Sequence, residues 1–291
     1  MQLDQIRARH AEIIQRYGAW TNHNIQLAAD LYTISPRPTG ADPKLRRYCQ
    51  IIADHLLQGD RTWQDLRILD LACLEGIYGL EMALQGATVV AIEGREANLV
   101  KAKFVQEVLD LANIEFWQAD VRHLSVEQYG KFDAVICVGI LYHLDQPDLF
   151  EFLSQIAAVT QGIAIIDTQM APRPETKITY GGQDYWGRVY LEHEPSASSQ
   201  EKLNKLWASL DNPYSFWLTR PSLHNYLASL GFTSIYECHH PAVLRYEQMR
   251  AQEDQDRATL VAIKGNPVKI QANDLPLPDH TWQAIEALNL A

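Results

Sequence analysis

The sequence predicts an α/β fold, a doubly wound and mostly parallel seven-stranded sheet with an N-terminal helical lid and an insertion after the fifth strand. Three observations predict it. The apolar run 68–71 breaks at the turn Ala72-Cys73-Leu74-Glu75-Gly76 and passes into a helical pattern. Apolar runs then alternate with amphipathic segments from about 66 to 170, as parallel strands with crossover helices do. The second run ends on a carboxylate, Glu93, 23 residues after Asp70. In that layout a helix start faces the ligand and the second acid takes ribose hydroxyls.

Residues 2–17 set Ile6, Ile13 and Ile14 at helical spacing, predicting an amphipathic helix. Residues 18–42 are irregular, with Pro36, Pro38 and Gly40 as breakers. Asp42-Pro43 reads as a cap and first-turn proline opening a helix to about 58. These form a lid segment, 1–60, ahead of the core, 61–170. An insertion follows over 171–222, with the aromatic, glycine-rich run 180–188. Within 223–264 come a helix stopped by Gly231 and two closing strands, 233–238 and 259–264, one of them antiparallel. The tail, 265–291, carries prolines and a short helix-like stretch at 282–288.

At 291 residues the chain suits one elaborated domain and can bury a full sheet core. It has no apolar run of about 18 residues, and its start lacks a secretory pattern, so a soluble cytoplasmic protein away from membranes is expected. Cys49, Cys73, Cys137 and Cys238 are too scattered for a paired-cysteine metal motif, and Cys73 and Cys137 read as buried thiols. His239 and His240 would point apart on a strand, and Glu192-His193-Glu194 has no partner at helical spacing. No metal is therefore expected. A net charge of −11 disfavours nucleic acid. Lys44, Arg46 and Arg47, Lys101 and Lys103, and the basic scatter over 245–257 read as solvated helix faces.

The turn is informative in detail. A pyrophosphate site wants three glycines, whereas Ala72 and Leu74 occupy two of those places and only Gly76 remains. Leu74 suits a ligand without phosphate. Residues 70–76 resemble the first motif of class I S-adenosylmethionine-dependent methyltransferases, departing from it at the two missing glycines. Glu93 matches the family's ribose-binding acid, and Phe116-Trp117-Gln118-Ala119-Asp120-Val121 resembles the third motif, whose acid binds the adenine amino group. Residues 132–144 resemble the fourth strand and its loop. The resemblance implies a Rossmann-like fold and S-adenosyl-L-methionine as cofactor. It also implies cofactor contacts from Asp70, Ala72, Cys73, Leu74, Gly76, Glu93, Gly94, Asp120, Val121 and Gly139. Independently of any family, 70–76, Glu93, Asp120 and 139–143 converge at the carboxyl ends of strands, where open parallel sheets bind ligands. The competing reading is that Glu93 and Asp120 only cap helices. Asp133, at the other end of its strand, reads as structural.

His143 follows the fourth strand, where an acceptor would approach the sulfonium. Methyl transfer is an in-line displacement that needs alignment and a dry site. A hydroxyl acceptor must also lose a proton, which suits a histidine base. The alternative is that His143 packs on the cofactor or orients a carbonyl. Acceptor contacts are expected from Trp20, His23, Asn24 and Tyr32 in the lid, and from Tyr185, Trp186, Arg188 and Trp217 in the insertion. Aromatics with one arginine suit an amphipathic or anionic molecule, ordinary packing being the alternative for each. The expected function is methyl transfer to oxygen, before nitrogen or carbon, of a small molecule or short peptide in secondary metabolism. Two alternatives remain. Residues 139–143 and 185–188 are similar to tRNA wobble-uridine carboxymethyltransferases, which would require a basic groove. The lost glycines would suit a non-catalytic adenosyl-binding protein.

Overall fold

The computed structural model describes residues 1–251, 255–269 and 271–272. Helix α1 (Leu3–Tyr17) buries Ile6 and Ile13. A small hairpin, β1 (Gln26–Ala28) and β2 (Leu31–Tyr32), crosses the irregular segment. Helix α2 (Asp42–Leu56) begins one residue earlier than expected. Ala41 is its N-cap, and the Asp42 carboxylate reaches back to the Thr39 N–H at 2.6 Å.

The core alternates as the sequence predicts: β3 (Arg67–Leu71), α3 (Ile77–Gln85), β4 (Thr88–Glu93), α4 (Glu96–Val108), β5 (Ile114–Gln118), α5 (Val126–Tyr129), β6 (Phe132–Val138), α6 (Asp148–Val159) and β7 (Thr160–Met170). Strands β3, β4, β6 and β7 are buried on both faces, which explains their continuous apolar runs, while β5 at the sheet edge exposes one face. Asp133 accepts from the Arg67 N–H at 2.8 Å and pairs with Arg61, so it is structural.

The insertion forms β8 (Thr176–Tyr180), β9 (Gln183–Leu191), α7 (Ser199–Asn204) and β10 (Tyr214–Leu218), with the three strands antiparallel in the order β10-β9-β8. Gly187 lets β9 and β10 approach closely, since a Cβ there would collide with the Trp217 carbonyl. Phe150 of α6 stacks on Tyr180 at 4.5 Å and meets Tyr185 and Tyr226, anchoring the insertion to the core. Such ring pairs add about 0.5–1.5 kcal/mol each beyond their buried area.

Helix α8 (Arg220–Ser229), β11 (Ser234–Glu237), α9 (Leu244–Ala251) and β12 (Asp256–Ile263) close the fold. The full sheet runs β11-β12-β7-β6-β3-β4-β5, with β12 antiparallel to both neighbours. Strand β12 begins three residues before the expected 259. Arg257, which reads in sequence as part of a solvated basic helix face, is buried against Asp167 of β7. Two apolar layers cover the sheet, one with α1, α2, α3 and α4, the other with α6, α8 and the insertion. Cys73 and Cys137 are buried free thiols. No helix among the described residues is long and apolar enough to cross a membrane. The predicted helix at 282–288 lies outside the described residues.

Candidate active site

A cavity of about 540 Å³ opens at the carboxyl ends of β3, β4 and β6. Below it, Ala72, Leu74 and Gly76 all adopt positive φ, 52°, 51° and 86°. Ala72 and Leu74 thus hold the left-handed backbone that glycine adopts freely, and the chain bears a strain of about 1–2 kcal/mol at each of them. Hydrogen bonds hold it there: Leu74 N–H to Glu93 Oε2 at 2.8 Å, and Cys73 N–H to the Ile92 carbonyl at 3.0 Å. Ala72 and Leu74 line the cavity. Asp70, Cys73 and Gly76 do not, and their part is to build the turn. Asp70 accepts the Gly79 N–H at 2.8 Å, while Gly76 is the N-cap of α3. Burial pushes the Asp70 carboxyl up to about 7, opposed by the Gly79 hydrogen bond and aided by Glu93.

Glu75, inside the turn, organises the lid. Its buried carboxylate accepts the Thr21, Asn22 and His23 N–H groups at 2.7, 3.3 and 3.2 Å and pairs with buried Lys101 at 3.3 Å. Lys101 also donates to the Ala19 carbonyl at 2.7 Å. Asn22 and His23 thereby reach the cavity wall. His23 Nδ1 accepts the Ile77 N–H at 3.2 Å, and burial, with Lys44 nearby, lowers its pKa to about 3, so the ring is neutral.

Glu93 and Gly94 line the next part of the wall. Glu93 accepts from Leu74 N–H and from Arg95 N–H at 2.7 Å; burial nevertheless raises its pKa. Asn98 lies close enough to bear on that charge, yet neither atom of its buried amide makes a well-formed hydrogen bond among the described residues. Asp120 is not on the wall. Arg122, two residues on, takes its carboxylate through Nε and Nη2 at 2.9 and 2.6 Å, and Ala119 and Val121 line the cavity instead.

Sequence reasoning did not foresee a strap over this region. Residues 206–210 line the cavity, held by Arg95, whose guanidinium donates to the carbonyls of Leu203, Lys205, Ala208 and Ser209 at 2.9–3.2 Å. Arg122 ties the strap's end through Asp211 at 2.8 Å.

Beyond β6, Gly139 and His143 line the wall. His143 Nδ1 lies 3.0 Å from buried Glu192, which also accepts from Ser209 N–H at 3.0 Å and Ser215 Oγ at 2.8 Å. A carboxylate only accepts, so Nδ1 carries the proton and Nε2 keeps its lone pair. Burial raises the Glu192 carboxyl, but the hydrogen bond and charge of His143, with Ser215 and Ser209, outweigh it and hold it below its ordinary range. Only long-range folding brings residue 192 to 143, so the dyad left no local pattern in the sequence. Tyr142, Trp217 and Tyr190 form an aromatic wall; Tyr190 stacks on Trp217 at 4.5 Å, and Trp217 Nε1 donates to the Tyr142 carbonyl at 2.8 Å.

Six expected acceptor residues are elsewhere. Trp20 is buried against His10 and Phe104, and Tyr32 sits in the β1–β2 hairpin. Tyr185 belongs to the Phe150 cluster, Trp186 N–H bonds Ser222 Oγ, and the Arg188 guanidinium lies 4.8 Å over the Trp217 ring. Asn24 bonds the carbonyls of Ser35 and Arg37, bracing the lid. Tyr180 and Tyr185 of the insertion dock it on Phe150, whereas Tyr190, Trp207 and Trp217 line the cavity. Conversely, Lys44, Arg245 and Arg257 line the cavity, although their sequence context read as solvated helix faces. Behind them, buried Asp167 accepts from Tyr48, Thr259 and Arg257 at 2.8 Å and Tyr246 at 2.6 Å. Burial would raise Asp167, but Lys44 and Arg257 hold it well below the carboxylate range.

The family described as methyltransferase domain matches residues 68–162. The ubiquinone biosynthesis O-methyltransferase of Acinetobacter baylyi is 38% identical over 81 residues, 28% of this chain and 34% of that protein. Its counterpart in Azotobacter vinelandii is 36% identical over 81 residues, 28% of this chain and 34% of its own length. The chain thus spans about a third of the length of these relatives. The crystal structure of the N-terminal domain of EvdMO1 in the presence of SAH and D-fucose matches with a TM-score of 0.67 at 26% identity, covering 90% of this chain and 97% of that one. The turn at 72–76, the seven-stranded sheet with its antiparallel β12 and these likenesses agree: residues 68–162 form a methyltransferase domain of the class I S-adenosylmethionine-dependent kind.

Proposed function

We propose that the chain binds S-adenosylmethionine and moves its methyl group to a hydroxyl oxygen of a small molecule. The wall fits the cofactor. Buried Glu93 and the orphaned amide of Asn98 offer acceptors and a donor to an adenosyl group, and Ala72, Leu74 and Gly139 leave room for the methionine part. When bound, that group supplies a methyl carbon activated by a positively charged sulfur.

The single observation that carries oxygen as the target is the His143–Glu192 pair. His143 Nε2 accepts the hydroxyl proton as the oxygen becomes nucleophilic, and Glu192 stabilises the resulting imidazolium. Tyr142 and Trp217 exclude water and present ring faces to the acceptor's apolar body. The relatives named as O-methyltransferases support the same target atom.

The test combines calorimetry with S-adenosylhomocysteine and methyl transfer to a set of catechols. His143→Ala and Glu192→Gln should bind the product cofactor as the wild type does and slow transfer by about 10²–10⁴-fold, with the base limb of the pH profile lost. Unchanged pH profiles would remove the base. Cofactor binding without transfer to any hydroxyl would leave a non-catalytic adenosyl-binding protein, and absent binding would refute the assignment.

A further inference from the structure

The end of the cavity over β6, β7 and β12 is positively charged in a chain of net charge −11. Lys44 of α2, Arg245 of α9 and Arg257 of β12 line it, and Arg47 stands behind, donating to the Pro241 carbonyl and to Thr259 Oγ1. The carboxylate these cations share is Asp167, and it is already saturated. Tyr48, Tyr246 and Thr259 bond it, and Arg257 takes it through both Nε and Nη2 at 2.8 Å. Arg257 is therefore neutralised.

Lys44 has only a longer-range share of that carboxylate. Lys44 is 14% exposed, its Nζ is 3.8 Å from Asp167, and it makes no hydrogen bond among the described residues. Arg245 makes neither a hydrogen bond nor an ion pair among them. Lys44 is thus only weakly paired, and Arg245, exposed at the rim, has no carboxylate partner among the described residues, so the two leave positive charge facing one cavity. In the sheet order β11-β12-β7-β6-β3-β4-β5, they lie beyond β6, away from Glu93 on β4. That is the acceptor's side of the cavity.

We propose that Lys44 and Arg245 form a carboxylate subsite for the acceptor, so that the substrate is a hydroxy acid: its acid group pairs with these cations while His143 receives its hydroxyl proton. This rests on the methyl-transfer reading above and narrows it. Tyr142, whose ring lies beneath the Arg257 guanidinium at 5.1 Å and beside His143 at 4.3 Å, joins the two ends with an apolar surface.

The test uses 3,4-dihydroxybenzoate and 3,4-dihydroxybenzamide, which differ in charge but keep the same hydroxyls. Binding to the full chain saturated with S-adenosylhomocysteine is read by calorimetry and transfer by KM. Wild type should prefer the acid at least about ten-fold, a single charge-assisted contact. Lys44→Met with Arg245→Gln should abolish the preference, and each single variant should lower it, with cofactor affinity within two-fold of wild type. Equal or undetectable binding of acid and amide by the wild type overturns the proposal. So does a preference that survives the double substitution. Weakened cofactor binding with an unchanged preference overturns it too, because the cations would then hold the cofactor's own carboxylate. If wild type fails to bind S-adenosylhomocysteine at all, the cofactor assignment fails first, which is a distinct result.

Discussion

Replacing Glu75 by glutamine tests how the motif turn supports the lid. The carboxylate accepts three lid N–H groups, at 2.7, 3.3 and 3.2 Å, and faces buried Lys101 at 3.3 Å. Glutamine preserves the volume but removes the charge and one acceptor. Lys101, 1% exposed, then loses its opposite charge, keeping among the described residues the Ala19 carbonyl, the Trp20 ring and a neutral amide oxygen. Breaking a buried pair from one side costs about 3–5 kcal/mol, and weaker lid hydrogen bonds lie within that range. Glu75→Gln should therefore lose about 3–5 kcal/mol in urea denaturation. Adding Lys101→Met should recover about half, since the stranded charge is gone while the lid N–H groups remain poorly served. The single variant should also weaken S-adenosylhomocysteine binding, because Asn22 and His23 reach the cavity through this contact. A Glu75→Gln protein within 1 kcal/mol of wild type, or a double variant no more stable than the single, would refute the reasoning.

Four further outcomes can be measured. Glu93→Ala should weaken S-adenosylhomocysteine by about 1.5–3 kcal/mol in calorimetry, the worth of charged hydrogen bonds. Arg95→Ala frees the carbonyls at 203, 205, 208 and 209; the cofactor off-rate should rise, and amide exchange over 205–211 should quicken. Asp70, raised to about 7, holds its proton in the folded state across a range where the unfolded chain has lost it. Stability from this group is therefore present below about pH 4 and falls as pH rises towards 7, so Asp70→Asn should gain on wild type across that window in denaturation midpoints. Lys44 is lowered to about 8, by burial first, with Asp167 opposing and Arg257, Arg245 and Arg47 lowering it further. Affinity for 3,4-dihydroxybenzoate should accordingly fall as pH rises through about 8, with His23 neutral throughout and Tyr48 and Tyr246 protonated.

The core was legible because its signals are local. Alternation, the turn at 72–76 and Glu93 at a strand end follow from periodicity and chain direction over a few residues. Acceptor contacts were not, because they depend on pairings across the chain. Tyr185, Trp186 and Arg188 carried the right chemistry, but Tyr185 joins the Phe150 cluster, Arg188 lies over the Trp217 ring, and none of the three lines the cavity. Glu192 reaches His143 only once the insertion packs on the β6 loop. Asp120 sits at the expected strand end, yet the neighbouring Arg122 captures it, which a spacing rule does not register. Lys44 looked like one turn of a wet helix until α2 laid it over β7.

The joint between Glu192 and His143 also makes proton removal depend on a completed fold. The two halves of the dyad belong to different structural layers, the insertion and the core loop, joined by the hydrogen bonds from Asn212 Nδ2 to the His143 carbonyl and from Trp217 Nε1 to the Tyr142 carbonyl. A core that has formed ahead of its insertion already holds Glu93 and the left-handed turn, but its histidine has no carboxylate to fix its tautomer. Such a species retains part of the ligand's binding energy and has no means of removing a proton. Turnover, unlike ligand affinity, therefore reports on completed assembly, and along a denaturant series it should vanish while some affinity persists.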